Sequence, residues 1–348
     1  MMRAVVKTNR QPGIHVLDMP TPEIGPNEAL VQIKACGICG GDLDLYQAKP
    51  GAFSRRGRPV ELPRIIGHEP AGIVVGVGKE VRSIKVGDRV ASDSGAGCGA
   101  CYYCQQGYFN LCVERRFIGT HRDGAMAEYC AIPGPNLFKI PDSISFDEAA
   151  MLEPLGVAVR AMETLVRFKP GDDVAVLGPG PIGLLEAMLA RAAGAGKIFV
   201  VGRSTSEKRL EFARQLGFST INAERDDVLS VIRAATGGLG VDAVFDATSS
   251  GMPGEATVLL KGIGQLVITA TMEGKVEFNA DDFKARSLII TANRARNPST
   301  WYRAINLVAC GRVDVKPLIT HRFDIENADT AFRTLQRREG MKVLIAPS

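Results

Sequence analysis

No apolar run in this chain approaches the ~20 consecutive residues that a membrane-spanning helix needs. The amino terminus reads Met1-Met2-Arg3-Ala4-Val5-Val6-Lys7 and lacks the apolar core of a secretory signal, so a reducing, cytoplasmic setting is expected. Charge of one sign is scarce as well. The 42 Lys and Arg stand against 38 interspersed Asp and Glu, for a net of +4. Such a balance asks for neither nucleic acid nor an anionic membrane as partner. Internal repeats and low-complexity tails are missing, which leaves a chain expected to be folded throughout. What remains is 348 residues, 45% hydrophobic and 23% charged, an ordinary composition for a soluble globular protein. The length is too great for one core, so two domains are expected.

Cysteine breaks the ordinariness. Of eight cysteines, four, at 98, 101, 104 and 112, fall within fifteen residues, a concentration that core packing does not require. Thiolates are soft ligands about 2.3 Å from zinc, and a tetrahedral site needs four donors brought together. Short C-x2-C turns set two sulfurs on one side of an ion, and Cys112 follows closely enough to close the cage. Three readings compete with zinc. A disulfide knot conflicts with the expected reducing compartment. An iron–sulfur cluster shares the C-x2-C-x2-C start, but its fourth Cys would come after three residues and precede Pro, whereas Val113 follows Cys112. Four free buried thiols are the last alternative. The spacing favours zinc.

Through about residue 150 the chain is rich in Gly and Pro, with short β-like runs at 29–34 and 71–76 and turn signals at 86–90, which suggests an irregular antiparallel barrel-like domain. From about 155 the texture changes, as strand-like segments at 174–178, 198–201, 220–221, 241–245 and 265–269 alternate with helical stretches at 184–193 and 206–216. That alternation argues for a parallel sheet with helices on both faces. A helix-like stretch at 300–309 and a strand-like one at 343–346 are read as returning to the first domain.

Between the first strand of the second part and its helix lies Gly178-Pro179-Gly180-Pro181-Ile182-Gly183. Small residues there allow a tight turn and let backbone N–H groups approach a pyrophosphate at a helix start. A lone G-x-G-x-x-G is a weak signal. This one follows a strand and opens a helix, with a second strand ~20 residues on, so Gly178, Gly180, Pro181, Ile182 and Gly183 are read as dinucleotide contacts. The second strand ends Val201-Gly202-Arg203-Ser204. Gly202 removes the carboxylate that would repel a 2′-phosphate, Arg203 offers a matching fork, Ser204 a hydroxyl and Lys208 further charge. NADP is favoured over NAD on those four residues. A surface Arg beside a tolerant NAD site is the bland alternative.

Three further segments supply donors from separate places: Cys36-Gly37-Ile38-Cys39-Gly40-Gly41-Asp42, Gly67-His68-Glu69-Pro70 and Leu152-Glu153-Pro154. On spacing alone each is weak, since a lone His is more often a satisfied core or surface residue. Taken with the four-Cys lobe and the Gly-rich turn, they resemble the zinc-dependent medium-chain dehydrogenase/reductase family along essentially the full length. The chain looks most like the sorbitol and other polyol dehydrogenases, with threonine dehydrogenase close behind. Glu153-Pro154 and the segment 315–323 point to that branch.

The resemblance implies an α/β fold with a GroES-like irregular β-barrel catalytic domain over 1–154 and 291–348, and a Rossmann doubly wound parallel-sheet cofactor domain over 155–290. It implies two zinc ions per chain. Cys39, His68 and Glu69 would hold the catalytic one, with Glu153 binding it directly or through its water. Cys98, Cys101, Cys104 and Cys112 would hold the structural one. Arg294 falls where polyol dehydrogenases place an Arg near the zinc water or substrate, against a bland structural salt bridge. The chain departs from the family at Gly41, where a Ser or Thr usually begins a proton relay, and at Asp44, where polyol dehydrogenases tend to carry His. Asp44 is read either as a proton-exchange group or as a surface residue.

The chemistry implied is hydride transfer between a secondary alcohol (a polyol, cyclitol or sugar derivative) and a nicotinamide held between the domains, with zinc as Lewis acid. An arginine run at 54–58, with Arg64, is read as a solvated loop or an attractor for an acidic substrate. The alternatives are threonine dehydrogenase-like amino-alcohol oxidation and a non-catalytic zinc- and NADP-binding redox sensor. By analogy alone, a homotetramer or homodimer is expected.

Overall fold

The computed structural model of the chain describes residues 1–248, 253–271 and 276–347. Two compact units emerge, one made of Met1–Glu153 and Ile305–Ser348, the other of Pro154–Ala304. The return to the first unit expected at 291 lies inside the strand Ile289–Ala292, and the two compact units divide within the helix Pro298–Ala309.

In the first unit the strand Glu28–Gly37 organises the largest sheet. Its burial alternates from Glu28 to Lys34, with Ala29, Val31 and Ile33 on the core face, and Leu30 is the one apolar residue on the other face, as expected for a strand with one face on the core. At Ala35, Cys36 and Gly37 the alternation stops and the strand is fully buried. Antiparallel partners are Glu69–Val77 on one side, and Tyr129–Pro133 and Lys342–Ala346 on the other. Arg89–Ser92 and Leu137–Lys139 extend the sheet beyond Glu69–Val77, and Ile319–Asp324 pairs in parallel with Lys342–Ala346. A smaller sheet sets Met2–Lys7 between His15–Met19 and Arg64–Ile65. Val31, Ile33, Ile66, Met126, Ile132 and Phe332 fill the core. Each such side chain contributes ~1.5–3 kcal/mol of burial free energy.

The second unit carries six parallel strands in the order Ser219–Asn222, Ile198–Gly202, Val174–Leu177, Val241–Asp246, Leu260–Ile268 and Ile289–Ala292. In chain order this is 3-2-1-4-5-6, the doubly wound arrangement whose ligand crevice lies at the carboxyl ends of strands one and four. The helices Pro181–Ala192, Glu207–Gln215 and Val228–Ala235 alternate with the strands. Val174, Ala175 and Val176 are wholly buried, as a sheet covered on both faces requires. Among the described residues no helix is long and apolar enough to cross a membrane.

Candidate active site and metal centres

The fully buried end of Glu28–Gly37 runs directly into the first site. Cys39 caps the helix Gly40–Tyr46, and its backbone N–H donates to Asp42 Oδ2 at 2.9 Å. Gly67 precedes His68 with φ +92, and a Cβ there would stand 2.5 Å from Met126 Cγ, so only glycine fits the turn that delivers His68. Asp42 Oδ1 lies 3.3 Å from His68 Nδ1, both side chains being buried. A carboxylate on one ring nitrogen fixes the imidazole and leaves Nε2 for a ligand. Burial opposes charge on His68, yet the Asp42 carboxylate and Cys39 outweigh it and hold the imidazole well above the ordinary histidine value. Donor atoms of Cys39, His68 and Glu69 all lie within 4.8 Å of one another, a spacing that suits one metal ion.

Glu69 is engaged from a second side. Lys342, brought in by the carboxy-terminal strand, pairs with Glu69 Oε2 and donates to Ile38 O at 3.2 Å, both side chains being almost wholly buried. Burial disfavours the Lys342 charge, but Glu69 and Cys39, with Glu153 adding, push its pKa above the ordinary value. Gly37 makes room for this arrangement, because a Cβ there would stand 2.1 Å from Glu69 Oε2. Glu153 is buried and within electrostatic reach of Glu69 and Lys342, but its carboxylate is not one of the converging donor atoms. Neither Asp42 nor Lys342 stands out in the sequence as a site residue. For Asp42, the only signal was its position three residues after Cys39.

Asp44 is partly exposed on the helix that Cys39 caps and pairs with Lys49 at 2.6 Å. Arg294 is exposed after the strand Ile289–Ala292 and belongs to the other unit. The buried arginine of that loop is Arg296, whose guanidinium lies 5.9 Å from the Trp301 ring centre.

Cys98, Cys101, Cys104 and Cys112 also converge, with their sulfurs within 4.8 Å of one another. Four sulfurs at about 2.3 Å from one zinc stand about 3.8 Å apart, so the set fits a closed tetrahedral site. Backbone N–H groups already point at the sulfurs: Cys98 N–H to Cys112 Sγ at 3.2 Å and Cys101 N–H to Cys98 Sγ at 3.3 Å. Backbone N–H groups, foremost that of Cys104, draw the Cys101 thiol down to about 6. The arginine run serves this lobe. In the hairpin of Ser54–Arg55 and Arg58–Pro59, the Arg56 guanidinium donates at 2.6 Å to both Cys112 O and Asn110 O. Arg58 donates to Val113 O at 3.1 Å and pairs with Glu114 at 2.8 Å. Two of the arginines read as a possible attractor for acidic substrates, Arg56 and Arg58, thus hold the segment that carries the fourth cysteine.

In the second unit the glycine turn has the shape a dinucleotide needs. Gly178 has φ +98, and Gly183 packs so closely that a Cβ would stand 2.1 Å from Gly178 O. Gly180 begins the helix Pro181–Ala192, and its missing side chain leaves open space up to Arg209 Nη1 at 3.8 Å. Arg209 therefore reaches the turn, a residue that the sequence reading passed over in favour of the exposed Lys208. Gly202 has a packing reason as well, since a Cβ would stand 3.0 Å from both Pro179 and Leu210 side chains. Arg203 is exposed, and the Ser204 backbone N–H donates to Glu224 Oε2 at 3.0 Å.

Known proteins share this architecture. The alcohol dehydrogenase GroES-like domain model matches residues 25–142, and the zinc-binding dehydrogenase model matches residues 181–309. L-threonine 3-dehydrogenases of Shewanella putrefaciens and Pseudoalteromonas translucida are 33% and 34% identical, each alignment covering 99% of both chains. A Sinorhizobium meliloti protein described as a zinc-binding dehydrogenase, solved bound to NADP, superposes with a TM-score of 0.89 at 33% identity over 100% of this chain and 99% of the other. The 2R,3R-butanediol dehydrogenase of Bacillus subtilis superposes at 0.90 with 29% identity over the whole of both chains. A GroES-like unit, a doubly wound unit and full-length likeness to such enzymes place this chain in the zinc-dependent medium-chain dehydrogenase family, an NAD(P)-binding family of oxidoreductases.

Proposed function

We propose that the chain is an oxidoreductase with two zinc ions, moving hydride between a secondary alcohol of the polyol, cyclitol or sugar type and NADP in preference to NAD. The observation that carries this reading is the convergence of Cys39, His68 and Glu69 beside Asp42 and Lys342. Zinc bound there would act as a Lewis acid toward a substrate hydroxyl, and the dinucleotide at 178–183 would accept the hydride.

The protein's own residues prepare that chemistry. Asp42, 3.3 Å from His68 Nδ1, would orient the ring and leave its other nitrogen for the metal. Lys342 pairs with Glu69 and offsets its charge, and Cys39, His68 and Glu69 would hold the zinc, with Glu153 binding it directly or through its water. Gly41 carries no side chain, so no hydroxyl at this position passes a proton outward. Asp44, partly exposed on the same helix, is the proposed exchange group. Arg294 is assigned to the substrate side. Cys98, Cys101, Cys104 and Cys112 hold the second zinc as a closed structural clamp. Gly178, Gly180, Pro181, Ile182 and Gly183 cradle the pyrophosphate, with Gly202, Arg203, Ser204 and Lys208 at the adenosine ribose. A homodimer or homotetramer is proposed as the working form, to be checked by light scattering.

A second reading, oxidation of an amino-alcohol such as L-threonine, is favoured by the full-length relatives of that activity. The deciding experiment is a panel of polyols, cyclitols and amino-alcohols with each cofactor, followed by the absorbance of reduced nicotinamide. Turnover of polyols or cyclitols above L-threonine supports the first reading, and the opposite order supports the second.

A further inference from the structure

The turn after the strand Ile198–Gly202 already holds a carboxylate from the loop that follows another strand. Glu224 follows the strand Ser219–Asn222, and its Oε2 accepts the Ser204 backbone N–H at 3.0 Å. An Asn222 turn keeps it in place: Asn222 is buried, and its Oδ1 accepts the Glu224 backbone N–H at 3.1 Å. Asn222 Nδ2 in turn donates to Glu207 Oε2 at 2.8 Å and to Ser204 Oγ at 3.3 Å, tying the two loops together. The Ser204 hydroxyl and N–H, with the Arg203 charge behind them, hold the Glu224 carboxyl below its ordinary value, so it is an anion at neutral pH.

An NADP 2′-phosphate makes the same demands as this carboxylate: a backbone N–H donor at Ser204 and a cation at Arg203. Two anions cannot share that donor without repelling each other. A ribose 2′-hydroxyl has the opposite relation, since it donates to a carboxylate, the part an acidic residue plays in NAD sites. Gly202 removes that acid from the second strand, and Glu224 restores one from the loop after the third.

The geometry points to Glu224 as the residue that sets cofactor preference, a built-in counter-anion that a 2′-phosphate must displace from Ser204 and that a 2′-hydroxyl bonds. The inference rests on the reading that the adenosine ribose lies at Gly202–Ser204. It deepens that reading, because it makes NADP preference the outcome of a competition between Arg203 and Glu224 at one turn.

The test is calorimetric titration of the full-length zinc-loaded protein with NADP, NAD, 2′,5′-ADP and 5′-AMP, for wild type, Glu224→Gln, Glu224→Ala and Arg203→Ala. Removing one like charge at an exposed site is expected to tighten NADP and 2′,5′-ADP about tenfold in Glu224→Gln. NAD should weaken about twofold to fivefold, as expected for losing one hydrogen bond to a charged group. High salt should shrink the NADP gain. Retained NAD and 5′-AMP binding shows that the variants are folded. An unchanged NADP-to-NAD affinity ratio in both Glu224 variants overturns the inference, and if wild type still prefers NADP the cofactor reading survives that result. A wild type that prefers NAD, with Glu224→Gln moving the ratio toward NADP, supports the inference while overturning the cofactor preference. Indifference of every ligand to Glu224 and Arg203 alike overturns both.

Discussion

Replacing Glu186 with Gln should stabilise the parallel-sheet unit above neutral pH and leave it nearly unchanged in acid. Glu186 lies on the helix Pro181–Ala192 and is wholly buried. The Thr269 hydroxyl donates to its Oε1 at 2.6 Å, while Oε2 has no hydrogen-bond partner among the described residues. Asp246, at the end of Val241–Asp246, is equally buried. Its Oδ1 accepts from Thr248 N–H at 2.9 Å and from the Thr248 hydroxyl at 2.6 Å, and its Oδ2 has no partner among the described residues. Burial pushes the Glu186 carboxyl up to about 8 from an ordinary 4.5; the Thr269 bond opposes this and the Asp246 carboxylate adds to it. Between those values the folded chain holds the proton more tightly than the unfolded chain does. The stabilisation is therefore complete below pH 4.5 and is lost as pH rises through 8. At about 1.36 kcal/mol per pH unit the whole window amounts to about 5 kcal/mol, an upper bound. Gln keeps an acceptor for Thr269 and never ionises. At ~2–4 °C per kcal/mol for a unit of this size, the variant should gain on the order of 10 °C over wild type at pH 9. Thermal melts of both proteins at pH 5 and pH 9 check this. Superimposable pH dependences would refute the reasoning, because they would mean that Glu186 binds its proton no more tightly in the folded chain.

Lys342→Met strands Glu69 in the core and should cost ~3–5 kcal/mol by urea denaturation. A Lys342→Met, Glu69→Met double variant should recover most of that loss, and a doubled loss would show that the two residues do not act as a pair. Cys98→Ser should lower zinc content by one ion per chain and reduce stability. Turnover of the folded fraction should stay within about twofold, as expected for a site that makes no transition-state contact; loss of turnover with zinc retained would contradict the clamp assignment. Asp44→Asn should shift the pH–rate profile if Asp44 exchanges the proton, and an unchanged profile removes Asp44 from the mechanism.

Features written in a few consecutive residues were the ones legible in the sequence. Four cysteines within fifteen residues and the turn 178–183 carry their geometry in their spacing, and the alternation of strands and helices after 155 led to the doubly wound sheet. Cys39 and His68-Glu69 sit on separate segments, and only the family resemblance joined them. Lys342 was invisible for a physical reason: it meets Glu69 across 273 residues, through a strand pairing that no local pattern records. Arg56 and Arg58 were legible as charge but not as clamps, because both donate to backbone carbonyls, which every residue carries. Gly202 is a missing carboxylate in the sequence, yet Pro179 and Leu210 also crowd any side chain there, and Glu224 brings a carboxylate from the loop after the next strand.

Zinc content and alcohol-dependent reduction of NADP, measured on the same preparations of wild type and Cys39→Ala, test the central claim most directly. Two zinc ions per chain with turnover are expected in wild type, and one zinc ion with no turnover in Cys39→Ala. A wild type with a single zinc ion and no turnover of any alcohol, as expected of a redox sensor, would contradict that claim.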